Sequence, residues 1–129
     1  MQKAKILFPL LFMFLMIASC KGQEDNIEDI ITRISLPEGF NIEVYTDKVP
    51  NARGMDLANN GILFVGSRND GRIYAVTTHR EVLVLDEGLE MPAGLDFYQD
   101  DLYVSATSKI LKYPDILNQL YDPPDPLSI

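Results

Sequence analysis

Cysteine occurs once in the 129 residues, at Cys20, and histidine once, at His79. A lone cysteine has no disulfide partner within the chain. One cysteine and one histidine also argue against a His/Cys metal site. Basic side chains are scarce: 11 Lys and Arg stand against 19 Asp and Glu, a formal net charge of −8 at pH 7. A nucleic-acid partner needs a basic footprint to neutralise phosphates, so this balance argues against one. Long apolar runs are missing too. Ile6 to Ala18 is an unbroken run of 13 residues, interrupted in character only by Pro9. As a helix it would reach roughly 20 Å, short of a ~30 Å hydrocarbon core.

What that run does have is a positive head, Lys3 and Lys5, and small residues at its end. This combination reads as a secretory signal. Ile17-Ala18-Ser19-Cys20 resembles the bacterial lipobox, which implies a diacylglycerol on the Cys20 thiol and Cys20 as the mature N-terminus. The expected organisation is a lipoprotein signal peptide at 1–19, a tether at 20–35 and a folded part at 36–129. The expected location is the bacterial cell envelope, periplasm-facing or anchored in the outer membrane by the lipid on Cys20. Without Lys3 and Lys5, 9 basic residues face 19 acidic ones. Lys21 to Asn26 is polar and aperiodic, the composition of a flexible linker. Ile27, Ile30, Ile31 and Ile34 fit one helical face. Either a short helix or an irregular strap accounts for them.

From Leu36 onward the chain is written in strands and turns. Asn41–Tyr45, Ile62–Val65, Arg72–Thr77, Glu81–Leu85, Gly94–Tyr98, Asp101–Val104 and Lys109–Tyr113 are rich in β-branched and aromatic residues. Asn59-Asn60-Gly61, Asn69-Asp70-Gly71 and Gln99-Asp100-Asp101 punctuate them. Short strands at close spacing predict an all-β antiparallel fold.

The strands repeat. Shifted by 40 residues, Ile42–Tyr45 falls on Val82–Leu85 and Ala52–Leu57 falls on Pro92–Phe97. With small deletions, Leu63–Val65 falls on Leu102–Val104 and Arg72–Tyr74 on Lys109–Leu111. The Gly-apolar-Asp-apolar tetrads at Gly54 and Gly94 anchor the alignment. A period near 40 with four short strands per unit is the signature of a β-propeller blade. The phase predicts 41–45 as an outermost strand, 54–85 as one full blade, 94–113 as three strands of the next, and 126–129 as entry to its fourth. About two blades are present, where propellers use 4–8. The expectation is the N-terminal part of a longer chain.

Leu36–Tyr45, Val49–Met55, Gly61–Arg68, Met91–Leu95, Leu102–Val104 and Asp122–Pro126, in this order and spacing, resemble the start of the sorbosone/glucose dehydrogenase-like family. The resemblance covers 36–129. It implies a six-bladed propeller. It also implies, for some members, quinoprotein oxidation of sugars or aldoses with pyrroloquinoline quinone (PQQ), helped by calcium.

Antiparallel alternation puts the loops Pro50–Arg53, Gly66–Gly71, Met91–Ala93 and Ala106–Ser108 at one end of the sheets. Arg53, Arg68 and Asn69 therefore face one mouth. A quinone with three carboxylates suits guanidinium partners, which bind carboxylates bidentately. Arg53, Arg68 and Asn69 are the cofactor-binding candidates. The alternative for the arginines is an ordinary surface pairing with an acid such as Asp70. No catalytic residue is assigned. Proton abstraction from a sugar alcohol usually needs a histidine, and His79 falls in a turn at the opposite end. Asp56 and Asp96 are expected to bond backbone groups in neighbouring turns, and Asp122–Pro126 to be a structural loop. No calcium ligands can be placed on these residues. Three readings follow: the N-terminal part of a membrane-anchored quinoprotein sugar dehydrogenase, inactive alone; part of a non-catalytic propeller that binds a glycan or protein; or a small lipoprotein that oligomerises its two blades.

Overall fold

A computed structural model of the chain describes residues 26–129. The expected signal peptide, the lipidation site Cys20 and the start of the tether lie outside the described residues. The chain divides into two units, one reaching Glu43 and the other running from Val44 to Ile129.

In the first unit, α1 spans Ile27–Thr32. The Asn26 side chain caps it by accepting the Glu28 N–H at 3.2 Å. Glu28 and Asp29 in the first turn complement the positive helix end. The isoleucine spacing thus resolves as a helix for 27–32.

The second unit is all β apart from one short 3-10 turn at Ile116–Asn118. Strands β1 (Ala52–Leu57), β2 (Leu63–Ser67), β3 (Arg72–Val76) and β4 (Val82–Asp86) form one sheet in the order β1-β2-β3-β4. Strands β5 (Pro92–Tyr98), β6 (Asp101–Ala106), β7 (Lys109–Tyr113) and β8 (Leu127–Ser128) form a second in the order β5-β6-β7-β8. Every pairing is antiparallel. Short connections enforce this meander. Gly61 and Gly71 take φ +86° and +69° in two of the turns, values that cost a side chain dearly and glycine little. Between β5 and β6, Gln99 and Asp100 both adopt positive φ, as a two-residue hairpin turn requires.

The expected outermost strand at 41–45 does not form. No described strand offers it a ladder, and unpaired extended backbone is left to water. Residues 44–45 are held by side-chain contacts instead. The Arg80 guanidinium donates to the Val44 carbonyl at 3.5 Å and sits 5.1 Å from the centre of the Tyr45 ring.

The two sheets share one core. Phe64, Ile73 and Ala75 from the first meet Leu102, Val104, Leu111 and Tyr113 from the second. The rings of Phe64 and Phe97 stack with centroids 5.5 Å apart. Strand β5 lies against β1 and β2. Glycine makes this approach possible, since a Cβ at Gly54 would stand 1.8 Å from the Ala93 carbonyl oxygen. On its other face the first sheet buries Val65, Tyr74 and Val76, with Val49, Leu63 and Val82 packed beside them.

Candidate functional site

Strand direction decides which loops share an end. β1 begins where β2 ends, β3 begins where β2 ends, and β4 ends where β3 began. Residues 50–53, the 68–71 turn and the 87–91 link therefore gather at one end of the first sheet. In the second sheet the start of β5 and the Thr107–Ser108 turn hold the corresponding end. This is the grouping expected from the alternation of strands.

Arg53 sits at a register shift between Ala52 and Gly54. The irregularity frees it from the regular alternation of β1 and leaves it exposed. Arg68 and Asn69 follow β2 directly and are exposed. Among the described residues, neither arginine makes a hydrogen bond or ion pair. Asp70, the acid expected to pair with them, pairs elsewhere. Asp70 accepts from the Arg72 guanidinium at 3.3 Å and from the Tyr74 hydroxyl at 2.5 Å. Arg72 also reaches Glu87 at 3.3 Å. These contacts with Tyr74, Asp70 and Glu87 hold Arg72 more firmly protonated than usual. Burial, then the Asp70 bond, raises the Tyr74 hydroxyl above its ordinary range. Beneath the turn, the fully buried Ser67 hydroxyl donates to the Arg72 carbonyl and accepts the Arg72 N–H, both at 2.9 Å. Ser67, Asp70, Arg72 and Tyr74 thus fix the turn, and Arg68 and Asn69 project from a braced support.

The other candidates scatter. His79 is exposed in the β3–β4 turn at the far end. Asp56 bonds backbone as expected, though on strands rather than turns. One carboxylate oxygen accepts its neighbour's N–H, from Leu57, at 3.0 Å. The other reaches across to the second sheet and accepts the Phe97 N–H at 2.6 Å. Asp96 is exposed and its side chain makes no hydrogen bond among the described residues. Asp122–Pro126 is irregular chain leading into β8. Among the described residues, no three His, Cys, Asp or Glu side chains gather in a way that could hold a metal. None of the described helices is long and apolar enough to cross a membrane.

Sequence reasoning missed the bond from Asp56 to Phe97 because its ends are 41 residues apart. The repeated Gly-apolar-Asp-apolar tetrad was the signal that could have found it.

No family model matches the chain, and no solved structure matches it. A curated protein of Borreliella burgdorferi, described as uncharacterized, is 27% identical over 94 residues. The match covers 72% of this chain and 24% of that protein. The chain therefore spans about a quarter of the length of the curated relative it matches.

Proposed function

We propose that the two sheets are the first blades of a β-propeller, and that the chain is the N-terminal part of an envelope lipoprotein of the quinoprotein sugar dehydrogenase type. One observation carries the reading. Two guanidiniums without a partner among the described residues, Arg53 and Arg68, stand at one end of a sheet in a chain of net charge −8, where acids abound and Arg72 beside them is doubly paired. Unpaired cations in such a chain suit an anionic ligand.

The donors fit the carboxylates of PQQ, with Arg53 and Arg68 binding them and Asn69 hydrogen-bonding beside them. When bound, the quinone supplies two-electron oxidation of a sugar CH–OH group. This chain's residues bind and orient; among the described residues no histidine stands at that end. Calcium has no cradle among the described residues, so none is placed on them. Among the described residues no histidine stands at this end and no three acidic, His or Cys side chains gather to hold a metal, which favours a second reading, a propeller that binds an anionic glycan or protein without chemistry.

The test is fluorescence titration of the full chain with PQQ at low and high salt. Binding should weaken several-fold in the Arg53→Ala, Arg68→Ala double variant and should fall as salt screens the exposed charges. Binding unchanged in that variant removes the site. Dye reduction with PQQ, calcium and several aldoses should show no turnover from this chain. Measurable turnover lost on Arg53→Ala would place the chemistry within these two sheets. Labelling with a clickable fatty acid, lost in Cys20→Ser, checks the anchor.

A further inference from the structure

The outward face of the second sheet repeats, position by position, the face of the first sheet that the second one covers. Gly54 and Asp56 of β1 correspond to Gly94 and Asp96 of β5. Phe64 and Gly66 of β2 correspond to Tyr103 and Ser105 of β6, and Ile73 of β3 to Ile110 of β7.

In the first sheet these positions make a seat for backbone. Added Cβ atoms at Gly54 and Gly66 would stand 1.8 Å and 2.8 Å from the carbonyl oxygens of Ala93 and Pro92. The Phe64 ring stacks on Phe97, and Asp56 takes the Phe97 N–H at 2.6 Å. In the second sheet Gly94, Asp96, Tyr103, Ser105 and Ile110 line a shallow, largely apolar depression. Gly94 keeps the bare backbone of Gly54, while Ser105 carries the Cβ that Gly66 lacks, so a strand would come close at Gly94 and stand farther off at Ser105. Asp96 stands where the latch would be, its side chain exposed and without a hydrogen bond among the described residues.

We infer that this face is the seat of a further four-stranded sheet of the same repeat, latched by a backbone N–H to Asp96 as Phe97 is latched to Asp56. The occupant is argued from the interface already in the molecule. That interface supplies the template for the close backbone approach, the aromatic or apolar contact and the carboxylate acceptor. Ser128 pairs with Leu111 as Val84 pairs with Tyr74, so β8 holds in the second sheet the place that β4 holds in the first. A relative about four times longer than the matched stretch has room for such sheets. The inference rests on the propeller half of the reading above and not on its ligand. Failure of PQQ titration leaves it standing, and its own failure leaves the titration result unaffected.

The experiment extends the full chain by a second copy of residues 86–129 after Ile129. Hydrogen exchange is followed at the appended copy's amide equivalent to Phe97, with thermal unfolding and limited proteolysis beside it. The appended sheet should resist protease. Asp96→Ala should leave the unfolding midpoint of the 129-residue chain unchanged. In the extended chain it should lower the midpoint and speed exchange of that one amide about tenfold or more, the loss expected for a hydrogen bond to a charged group. Asp96→Asn, which keeps an acceptor oxygen, should restore part of the protection. Equal effects of Asp96→Ala in both chains would overturn the latch, and an appended segment left open to protease would overturn the seat. Self-association of the 129-residue chain that Ser105→Arg abolishes would also overturn it, because a second copy would then be the occupant.

Discussion

The first sheet buries side chains on both faces and the second on one. Phe64, Ile73 and Ala75 are fully buried on one face of the first, and Val65, Tyr74 and Val76 are nearly so on the other. The second sheet buries Leu102, Val104, Leu111 and Tyr113 toward the first. Its other face leaves Ser105 and Ile110 in the open. The two sheets share a strand order and a sequence pattern, so the pattern does not decide burial; the neighbour does. Asp56 and Asp96 make the same point in polar chemistry. One carboxylate is bonded to the next sheet and the other, at the same register, has no partner among the described residues.

The largest effect that can break this comparison is expected at the paired glycines. At Gly54 a methyl group would run into the Ala93 backbone at 1.8 Å, which cannot rotate away. Gly54→Ala must part the sheets and should cost about 3 kcal/mol, the upper end of ordinary overpacking. At Gly94 the nearest atom to the added methyl is the Ser105 hydroxyl oxygen at 2.7 Å, a side chain that can turn. Gly94→Ala should cost less than about 1 kcal/mol. Denaturant unfolding of both variants checks this. Equal losses would mean that β1 and β5 sit in equivalent surroundings after all.

A smaller effect should appear with pH, at a contact joining the two sheets. The Tyr113 hydroxyl donates to Asp86 at 2.5 Å. Burial first, and then the Asp86 carboxylate, push the Tyr113 hydroxyl far above its ordinary range. A pKa raised on folding gives stability that is present below the unfolded value, about 10 for tyrosine, and is lost as pH rises above it. Tyr74 and Tyr121 are raised as well, by burial and by Glu81 respectively as leading causes. Tyr113→Phe should therefore flatten the alkaline loss without abolishing it. At neutral pH it should cost roughly 1 kcal/mol for the lost hydrogen bond. On the acid side, Lys112 and the Asp115 N–H hold Asp101 below the usual carboxylate range. That contribution is present above the unfolded value near 4 and fades as pH falls. Unfolding midpoints between pH 3 and 11 measure both limbs. An unchanged alkaline limb in Tyr113→Phe would show that the contact across the sheets carries none of it.

Much of this was legible in the residues. The strands β2 to β7 follow from short β-rich runs bounded by Asn-Gly, Asp-Gly and Gln-Asp turns, and the 40-residue repeat places their order. The ends of the strands then place Arg53, Arg68 and Asn69 together, because antiparallel alternation is a matter of counting. The segment 41–45 was not legible. Its residues favour extended backbone, but a strand also needs a partner, and residue type does not report one. Residue spacing alone does not decide α1, because four isoleucines at helical spacing suit a strap as well. The Asn26 cap settled it. At the candidate site, the pairing of Asp70 with Arg72 and Tyr74 rather than with Arg68 was hidden. Asp70 lies two residues from both arginines, and only the turn geometry distinguishes them.

The smallest expected effect concerns the residues that lead into β1 and β5. Asn51 and Met91 hold the same place in the repeat and the same left-handed backbone, with φ of 55° and 51°. Asparagine tolerates that region, while a side chain such as methionine pays roughly 1 kcal/mol there. Met91 recovers little by packing, since it is 44% exposed. Met91→Asn should therefore stabilise the chain by about 0.5–1 kcal/mol, and Asn51→Met should destabilise it by a similar amount. The double swap should return close to the starting stability if each substitution acts only on its own backbone strain, and a departure from that sum measures coupling between the two turns. Urea unfolding midpoints of the three variants measure this. Loss of stability in Met91→Asn would mean that the methionine side chain packs against β5 strongly enough to outweigh its backbone strain, and the two turns would then be alike in conformation but not in what holds them.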